Sequence, residues 1–289
     1  MPNNPPPAKV VDMEDPILAS AQARKLDRTL ALARRLDQAA LIGYYPAGFP
    51  TLKTSLRIVE AMGNSGLAAI EIGIPSGNAV LDGPVIARAS HASINSGFRM
   101  ADLFTIVQHV ATQTCSVPLV MGYAESLYGY GLRRFADELA AVGGAGVIFP
   151  DLPIEEAAPW LQEAAKRGLH TIFVAAPNVP EPRLHAVANA GSGFLYAPAS
   201  AGLTGCGRIS TGLPAYLQYL KQLTALPIAS GIGVSTPEQA RTVAVHADAV
   251  IVGSAFVRQV SPDVDLTVSR VSDLAATFRS ALEVVRSAA

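Results

Sequence analysis

Short apolar runs recur eight times along this chain, and segments with the period of an amphipathic helix separate them. The runs are nearly continuous in Val, Ile and aromatic residues, a pattern typical of parallel strands that are buried on both faces. The predicted strands span residues 41–47, 68–74, 117–123, 144–149, 171–175, 193–197, 227–231 and 249–253. The predicted helices span residues 52–65, 103–114, 132–142, 155–167, 182–190, 213–223, 237–245 and 266–285, and a further helix, near 17–37, precedes the first strand.

Eight repeats of strand and then helix, over roughly 250 residues, predict a single-domain (β/α)8 TIM barrel with an extra N-terminal helix. A doubly wound open sheet is the alternative, but the absence of a clear second-domain break favours a closed barrel. We expect residues 1–13, which are rich in Pro and Asn, to form a flexible tail, and residues 14–289 to form the barrel domain. The longer connections, at about 75–102 and 198–211, are candidate active-site loops because barrel chemistry lies where strands lead into helices.

Composition excludes several classes of partner. Half of the 289 residues are apolar and the net charge is −1, which argues against a nucleic-acid partner. No apolar run reaches eighteen residues and the first residues contain no apolar signal core, so we expect neither a membrane span nor a secretory signal. The two cysteines, Cys115 and Cys206, belong to no C-x-x-C motif, which favours a cytoplasmic protein without disulfides or structural metal.

Two carboxylates are associated with the second predicted strand: Glu71 lies within it, and Asp82 lies in the connection that follows it. Glu71 lies between Ile70 and Ile72, and because strand side chains alternate, we expect it to point into the barrel while the isoleucines pack under the helices. A buried carboxylate needs either partners or a function, so Glu71 is a catalytic candidate or a structurally paired residue. Asp82, in the segment LDGP, directly precedes a predicted helix start at Pro84, so its alternative role is helix capping.

Glycine-rich segments follow the last three predicted strands. They are GLTGCG at 202–207, SGIGVSTPEQ at 230–239 and VGSAF at 252–256. Glycines let backbone N–H groups approach an anion, and the loops after strands seven and eight form the usual phosphate site of a TIM barrel. We therefore predict a phosphorylated substrate, with ordinary turn chemistry as the alternative.

Missing residue types narrow the reaction further. No lysine lies on a predicted strand, which argues against a Schiff-base aldolase, and no two histidines have the spacing of metal ligands. What remains is acid–base chemistry by carboxylates on a phosphorylated substrate.

Eight segments in this order and spacing resemble the α subunit family of tryptophan synthase, from about residue 41 to residue 260. The segments are AGFPTL, IEIGIP, LDGP, VMGYA, DLPIEEA, YAPASAGLTG, GIGVSTPEQA and VIVGSAF. The resemblance implies retro-aldol cleavage of indole-3-glycerol phosphate to indole and glyceraldehyde 3-phosphate, without metal or organic cofactor.

The resemblance also implies roles for individual residues. Glu71 and Asp82 match the family's catalytic pair, with Asp82 at the indole N–H and Glu71 transferring protons at indole C3 and at the glycerol hydroxyl. It implies a substrate pocket and a phosphate site at these positions: Tyr44, Tyr123, Tyr196 and Thr204 for the substrate, and Gly205, Gly233, Gly253 and Ser254 for the phosphate. For the tyrosines, packing in the barrel core is the alternative.

Three loops depart from the family pattern. Residues 76–79 read SGNA in place of an aromatic residue and Ser-Asp-Pro, Glu125-Ser126 replaces Asn-Pro, and residues 199–201 read ASA. The first two lie where the family contacts its β subunit. The sequence therefore leaves open an α subunit that a β subunit activates, a stand-alone lyase that releases indole, a catalytically silent homologue, and a different lyase or isomerase of a phosphorylated sugar.

Overall fold

A computed structural model describes residues 20–78, 82–200 and 209–283 of the chain. The predicted tail at 1–13 lies outside the described residues. Eight parallel strands are present, and each begins and ends within two residues of its predicted bounds. The strands are β1 (Ala40–Pro46), β2 (Ala69–Gly73), β3 (Val117–Met121), β4 (Gly146–Phe149), β5 (His170–Phe173), β6 (Leu195–Pro198), β7 (Ile228–Gly231) and β8 (Ala249–Val252).

The strands form one sheet in the order β5-β4-β3-β2-β1-β8-β7-β6. Its two edges meet at a single parallel bridge between Val174 and Tyr196, where the N–H of Ala175 donates to the carbonyl of Tyr196 at 2.8 Å. The sheet therefore closes on itself, so the prediction of a TIM barrel is confirmed and the open-sheet alternative is wrong.

Twelve helices accompany the described strands, and most of them occupy the predicted positions. They are α1 (Ala21–Arg35), α2 (Leu52–Asn64), α3 (Pro84–Asn95), α4 (Met100–Gln113), α5 (Ala124–Tyr130), α6 (Leu132–Ala141), α7 (Ala158–Ala165), α8 (Glu181–Ala190), α9 (Leu213–Leu223), α10 (Pro237–Ala244), α11 (Ser254–Val257) and α12 (Val264–Glu283). The start of α3 was predicted, whereas the short helices α5 and α11 were not. The helix predicted at 155–167 is divided into a 3₁₀ turn, Ile154–Glu156, and α7, because a proline near the start of α7 has no N–H to continue the first turn.

Side-chain alternation along the strands produces two apolar layers. Outward-facing residues pack between the strands and the helices, and this layer includes Ile70, Ile72 and Trp160. Inward-facing residues fill the barrel; examples are Ile42, Leu119, Ile148, Phe194 and Ile251. The chemistry-bearing residues of β1, β2 and β6 belong to this inner face, so the barrel interior carries the site.

The first helix, α1, covers the end of the barrel at which the strands begin. Leu26 and Leu30 are fully buried and pack with the inward-facing strand residues. Each fully buried leucine contributes roughly 1.5–3 kcal/mol relative to exposure. Because α1 packs at this end, access to the interior is left at the opposite end, where the strands lead into their helices. Within the three described ranges, no helix combines the length and the apolar composition that a membrane span requires.

Candidate active site

Glu71 lies in the middle of β2 and points into the barrel. It is in register with Tyr44 on β1 and Leu119 on β3, and it is only 1% exposed. Its Oε1 atom has no hydrogen-bond partner among the described residues, so the structural pairing considered from sequence is not found there. Burial alone raises the pKa of Glu71 to about 8, because the charged form loses its hydration. At neutral pH this carboxyl is therefore mostly protonated.

Asp82 reaches the same space from the connection between β2 and α3. The N-cap of α3 is Gly83, and no side chain caps this helix, so the capping alternative for Asp82 is wrong. Burial raises the pKa of Asp82 to about 6, and a hydrogen bond from the Tyr123 hydroxyl opposes that rise. The hydrogen bond stabilises the carboxylate form, so Asp82 is mostly ionised at neutral pH.

The three predicted tyrosines all face this space. Tyr44 is on β1, Tyr123 follows β3, Tyr196 is on β6, and all three are buried. The hydroxyl of Tyr196 is hydrogen-bonded by the backbone of Ile232, which follows β7. Burial and the negative charges of Glu71 and Asp82 hold the pKa of Tyr196 well above its usual value, so its hydroxyl stays protonated.

The loop after β7 places Gly233 at the mouth of the barrel. Two successive residues have left-handed backbone, Ile232 with φ 48° and Gly233 with φ 108°. The Ser200 hydroxyl donates to the Ile232 carbonyl at 3.0 Å, and a Cβ at Gly233 would lie 2.7 Å from the Ser200 oxygen. Glycine at 233 is therefore required both by conformation and by space.

The loop after β8 supplies two further predicted phosphate residues. Gly253 lies against Tyr44, since a Cβ at position 253 would be 3.3 Å from the Tyr44 Cβ. Ser254 begins α11, and its buried hydroxyl has no hydrogen-bond partner within the described part of the chain. The other two predicted residues of the strand-six loop, Thr204 and Gly205, lie outside the described residues.

One cavity of about 380 Å³, including its open mouth, joins these groups. Its lining contains both carboxylates, two of the tyrosines and two of the glycines: Glu71, Asp82, Tyr44, Tyr196, Gly233 and Gly253. The rest of the lining is apolar, and sequence reasoning missed it: Ile86, Met121, Ile232, Val234 and Ile251. The inward alternation of β3 and β8 could have identified Met121 and Ile251, whereas the left-handed turn that brings Ile232 inward has no sequence signal in a β-branched residue.

This arrangement can hold an apolar group against acid–base side chains. A protonated and an ionised carboxyl share one largely apolar cavity, and glycine backbone lies at its rim. In the described part of the chain, no three His, Cys, Asp or Glu side chains lie close enough together to hold a metal ion. The geometry therefore supports proton transfer to and from a substrate with an apolar part inside the cavity and an anionic part at the glycine rim.

Two of the atypical loops lie beside the cavity mouth. In the first, the Asn78 N–H donates to the Ser76 hydroxyl at 3.1 Å, and apart from its two chain neighbours no described residue lies within 4 Å of the position of a Gly77 Cβ. Ala79 is outside the described residues. In the second, Glu125 is exposed in the first turn of α5, and the neighbouring Tyr128 hydroxyl donates to the carbonyl of Glu156 at 2.9 Å.

Comparison with known proteins gives one consistent result. A family model described as "Tryptophan synthase alpha chain" matches residues 30–285. A protein of that description from Streptomyces avermitilis is 44% identical over 235 residues, which cover 81% of this chain and 84% of the relative. The corresponding Streptomyces coelicolor protein is 43% identical over 248 residues, which cover 84% of this chain and 91% of the relative.

Solved structures agree with the sequence relatives. A chain from Mycobacterium tuberculosis tryptophan synthase superposes with a TM-score of 0.84 at 34% identity, covering 92% of this chain and 99% of its own length. The tryptophan synthase subunit alpha from Legionella pneumophila superposes with a TM-score of 0.79 at 28% identity, covering 89% and 98% respectively. The similarity therefore extends over nearly the whole described barrel.

Proposed function

This chain belongs to the tryptophan synthase alpha chain family, and on that basis we propose that it cleaves indole-3-glycerol phosphate to indole and glyceraldehyde 3-phosphate. The reaction is that of a carbon–carbon lyase and supplies indole for tryptophan biosynthesis. The observation that carries the proposal is the shared cavity, in which Glu71 and Asp82 face an apolar space that ends at Gly233 and Gly253.

The cavity suggests how the substrate is oriented. The phosphate binds at the glycine end, where Gly233, Gly253 and Ser254 supply backbone N–H groups and an unpaired hydroxyl. The resemblance adds Thr204 and Gly205 to the same end. The indole ring then occupies the apolar part of the cavity near Met121 and Ile251, between the two carboxylates.

The protonation states of Glu71 and Asp82 determine the order of the proton transfers in the reaction. Ionised Asp82 accepts the indole N–H hydrogen bond, and protonated Glu71 donates its proton to C3, which converts the ring to a 3H-indolium cation whose N–H stays bonded to the Asp82 carboxylate. The resulting Glu71 carboxylate removes the proton of the adjacent glycerol hydroxyl. The C–C bond then breaks, its electron pair returns to the ring to regenerate indole, and the glycerol oxygen becomes the aldehyde of glyceraldehyde 3-phosphate. Glu71 ends the cycle protonated, as it began.

We also propose a β subunit as the partner, docked at the mouth of the barrel. The support is the family membership and the location of the loops that contain Asn78 and Glu125 beside the cavity. The stand-alone lyase has support only from the atypical loop residues, whereas both Streptomyces relatives are described as synthase alpha chains. The α-subunit function is therefore the preferred one.

The test is indole release from indole-3-glycerol phosphate by the purified chain, with and without a tryptophan synthase β subunit. We expect weak turnover by the chain alone, a large rise when the β subunit is added, and a loss of about 10²- to 10⁴-fold in Glu71→Gln, the size of a lost general acid. Turnover on the order of 1 s⁻¹ without β would instead establish the stand-alone enzyme. The absence of cleavage under both conditions would refute the proposed reaction.

A further inference from the structure

Tyr44 differs from the other two tyrosines of the site in what its hydroxyl contacts. The Tyr123 hydroxyl donates a hydrogen bond to Asp82, and the Tyr196 hydroxyl is hydrogen-bonded to the backbone of Ile232. The structure shows no hydrogen bond between the Tyr44 hydroxyl and any described residue, although the side chain is buried and lines the cavity. This donor is therefore available inside the site.

Two glycines fix where the Tyr44 hydroxyl lies. Gly253 leaves room for the base of the side chain, since a Cβ there would contact both Cβ and Cδ1 of Tyr44 at 3.3 Å. Gly73 leaves room for its tip, since a Cβ at Gly73 would collide with the Tyr44 hydroxyl oxygen. The hydroxyl thus occupies the space of the missing side chain at Gly73.

That space is next to Glu71 on the inner face of the barrel. Gly73 and Glu71 are two residues apart on β2, so both are inward positions, and Gly73 is nearer the open end. Asp82 lies at the same open end, and the charges that bear on Tyr44 are those of Asp82, Tyr123, Glu71 and Tyr196. The hydroxyl is therefore within the electrostatic reach of both carboxyls.

We propose that Tyr44 is a positioning residue whose hydroxyl donates a hydrogen bond to the carboxylate that forms at Glu71 during the reaction. The proposal rests on the proposed function, because negative charge passes from Asp82 alone to both carboxyls once Glu71 has protonated C3. A hydroxyl turns about its C–O bond at little cost, so this donor can turn toward Glu71 when the charge forms there. Burial and the neighbouring charges keep the pKa of Tyr44 well above its usual value, so the proton stays on the hydroxyl.

The test is Tyr44→Phe, which keeps the ring and removes the hydroxyl. We expect kcat to fall by about 10- to 100-fold, as for one lost hydrogen bond to a charged group, with KM changed by less than about threefold. Because that bond favours the ionised form of Glu71, the upper limb of the pH profile should move to higher pH, and the lower limb should match that of the parent. The matched control is Tyr45→Phe, since Tyr45 packs outward and its hydroxyl donates to the Phe49 carbonyl at 3.1 Å. The control should retain the parent kcat and the parent pH limbs.

A second measurement separates this proposal from the proposed function. Carbon-13 labelled carboxyls allow Glu71 and Asp82 to be titrated by NMR in the parent chain and in Tyr44→Phe, whether or not the chain cleaves indole-3-glycerol phosphate. An upward move of about one pKa unit in Glu71 supports the proposal, since one unit is a tenfold change in ionisation. Glu71 titrations that coincide in the two proteins would overturn it, even if the parent is fully active. A parent chain without lyase activity whose Glu71 carboxyl still responds to the Tyr44 hydroxyl would refute only the assigned reaction.

Discussion

At the scale of residues, the site depends on giving two carboxyls different environments. Glu71 has lost nearly all solvent and has no partner for Oε1 within the described residues, so its pKa rises to about 8. Asp82 keeps a donor in Tyr123, so its pKa rises only to about 6. Two carboxyls whose environments separate their pKa values can serve as acid and base at one pH. The interval between about 6 and 8 is therefore the working range of the pair.

This pair predicts a bell-shaped dependence of kcat/KM on pH. Activity should rise as Asp82 ionises near pH 6 and fall as Glu71 loses its proton near pH 8. The measurement is kcat/KM for indole release from pH 5 to 9, with circular dichroism at each pH to confirm that the chain stays folded. Asp82→Asn should remove the lower limb from the residual activity. A profile without limbs over this range would show that these carboxyls do not control the reaction.

Residue-level reasoning from the sequence was accurate where strand alternation applied. The inward direction of Glu71 follows from its apolar neighbours and is confirmed. The hydrogen bond from Tyr123 to Asp82 joins residues 41 positions apart on different loops, so no local pattern contains it. The left-handed backbone at Ile232 could not be predicted from the sequence either. A β-branched residue disfavours that conformation, and tertiary contacts impose it.

At the scale of elements, α1 determines which end of the barrel is open. Its fully buried leucines pack with the inner strand residues at the end where the strands begin. His170, at the start of β5, also lies 3.1 Å from the Asp27 carboxylate of α1. Helix α1 is thus an integral part of the hydrophobic core.

We expect Leu26→Ala to destabilise the chain by about 2–5 kcal/mol, the usual cost of a cavity at a fully buried leucine. The control on the same helix is Leu32→Ala, whose side chain is about half exposed and which should change stability by less than about 0.5 kcal/mol. Urea unfolding gives both values from the shift in midpoint at constant slope. Equal effects of the two substitutions would mean that α1 does not seal the barrel.

The strands and long helices could be predicted because each carries a periodic pattern over several residues. The helix α5 has seven residues and α11 has four, too few to establish a helical period. Barrel closure was inferred from the number of strands and from the absence of a clear second-domain break. The one bridge that completes it, between Val174 and Tyr196, is a tertiary contact without a sequence signal.

At the scale of the whole molecule, the two carboxyls of the cavity and the proposed docking loops lie at the same end of the barrel. The atypical residues Asn78 and Glu125 are on this end, close to the cavity but outside its lining. If these loops transmit docking to the site, changes in them alter activation by the proposed β subunit and leave the chemistry intact. Coupling of this kind is a free energy between two sites and is measured as a ratio of activities.

We therefore expect the double variant Asn78→Asp with Glu125→Asn to raise β-dependent activation by about fivefold or more, within the usual range of coupling between sites. Its activity without the β subunit should stay near that of the parent. Asn95→Asp, an exposed change at the far end of α3, is the charge control and should leave activation unchanged. Activation equal to that of the parent in the double variant would show that these two positions do not limit coupling.

The seam between β5 and β6 has a consequence for where the barrel can open. One bridge joins these strands, whereas each other neighbouring pair shares at least two register positions. The described cavity lining comes from β1, β2, β3, β6, β7 and β8, from the connections after them and from Ile86 in the first turn of α3, and β4 and β5 contribute none of it. These six strands are consecutive in the sheet, so separation at the seam would leave them hydrogen-bonded to one another. Opening at the seam would therefore leave intact the strand pairing of β1, β2 and β3, which holds Tyr44 and Glu71 in register.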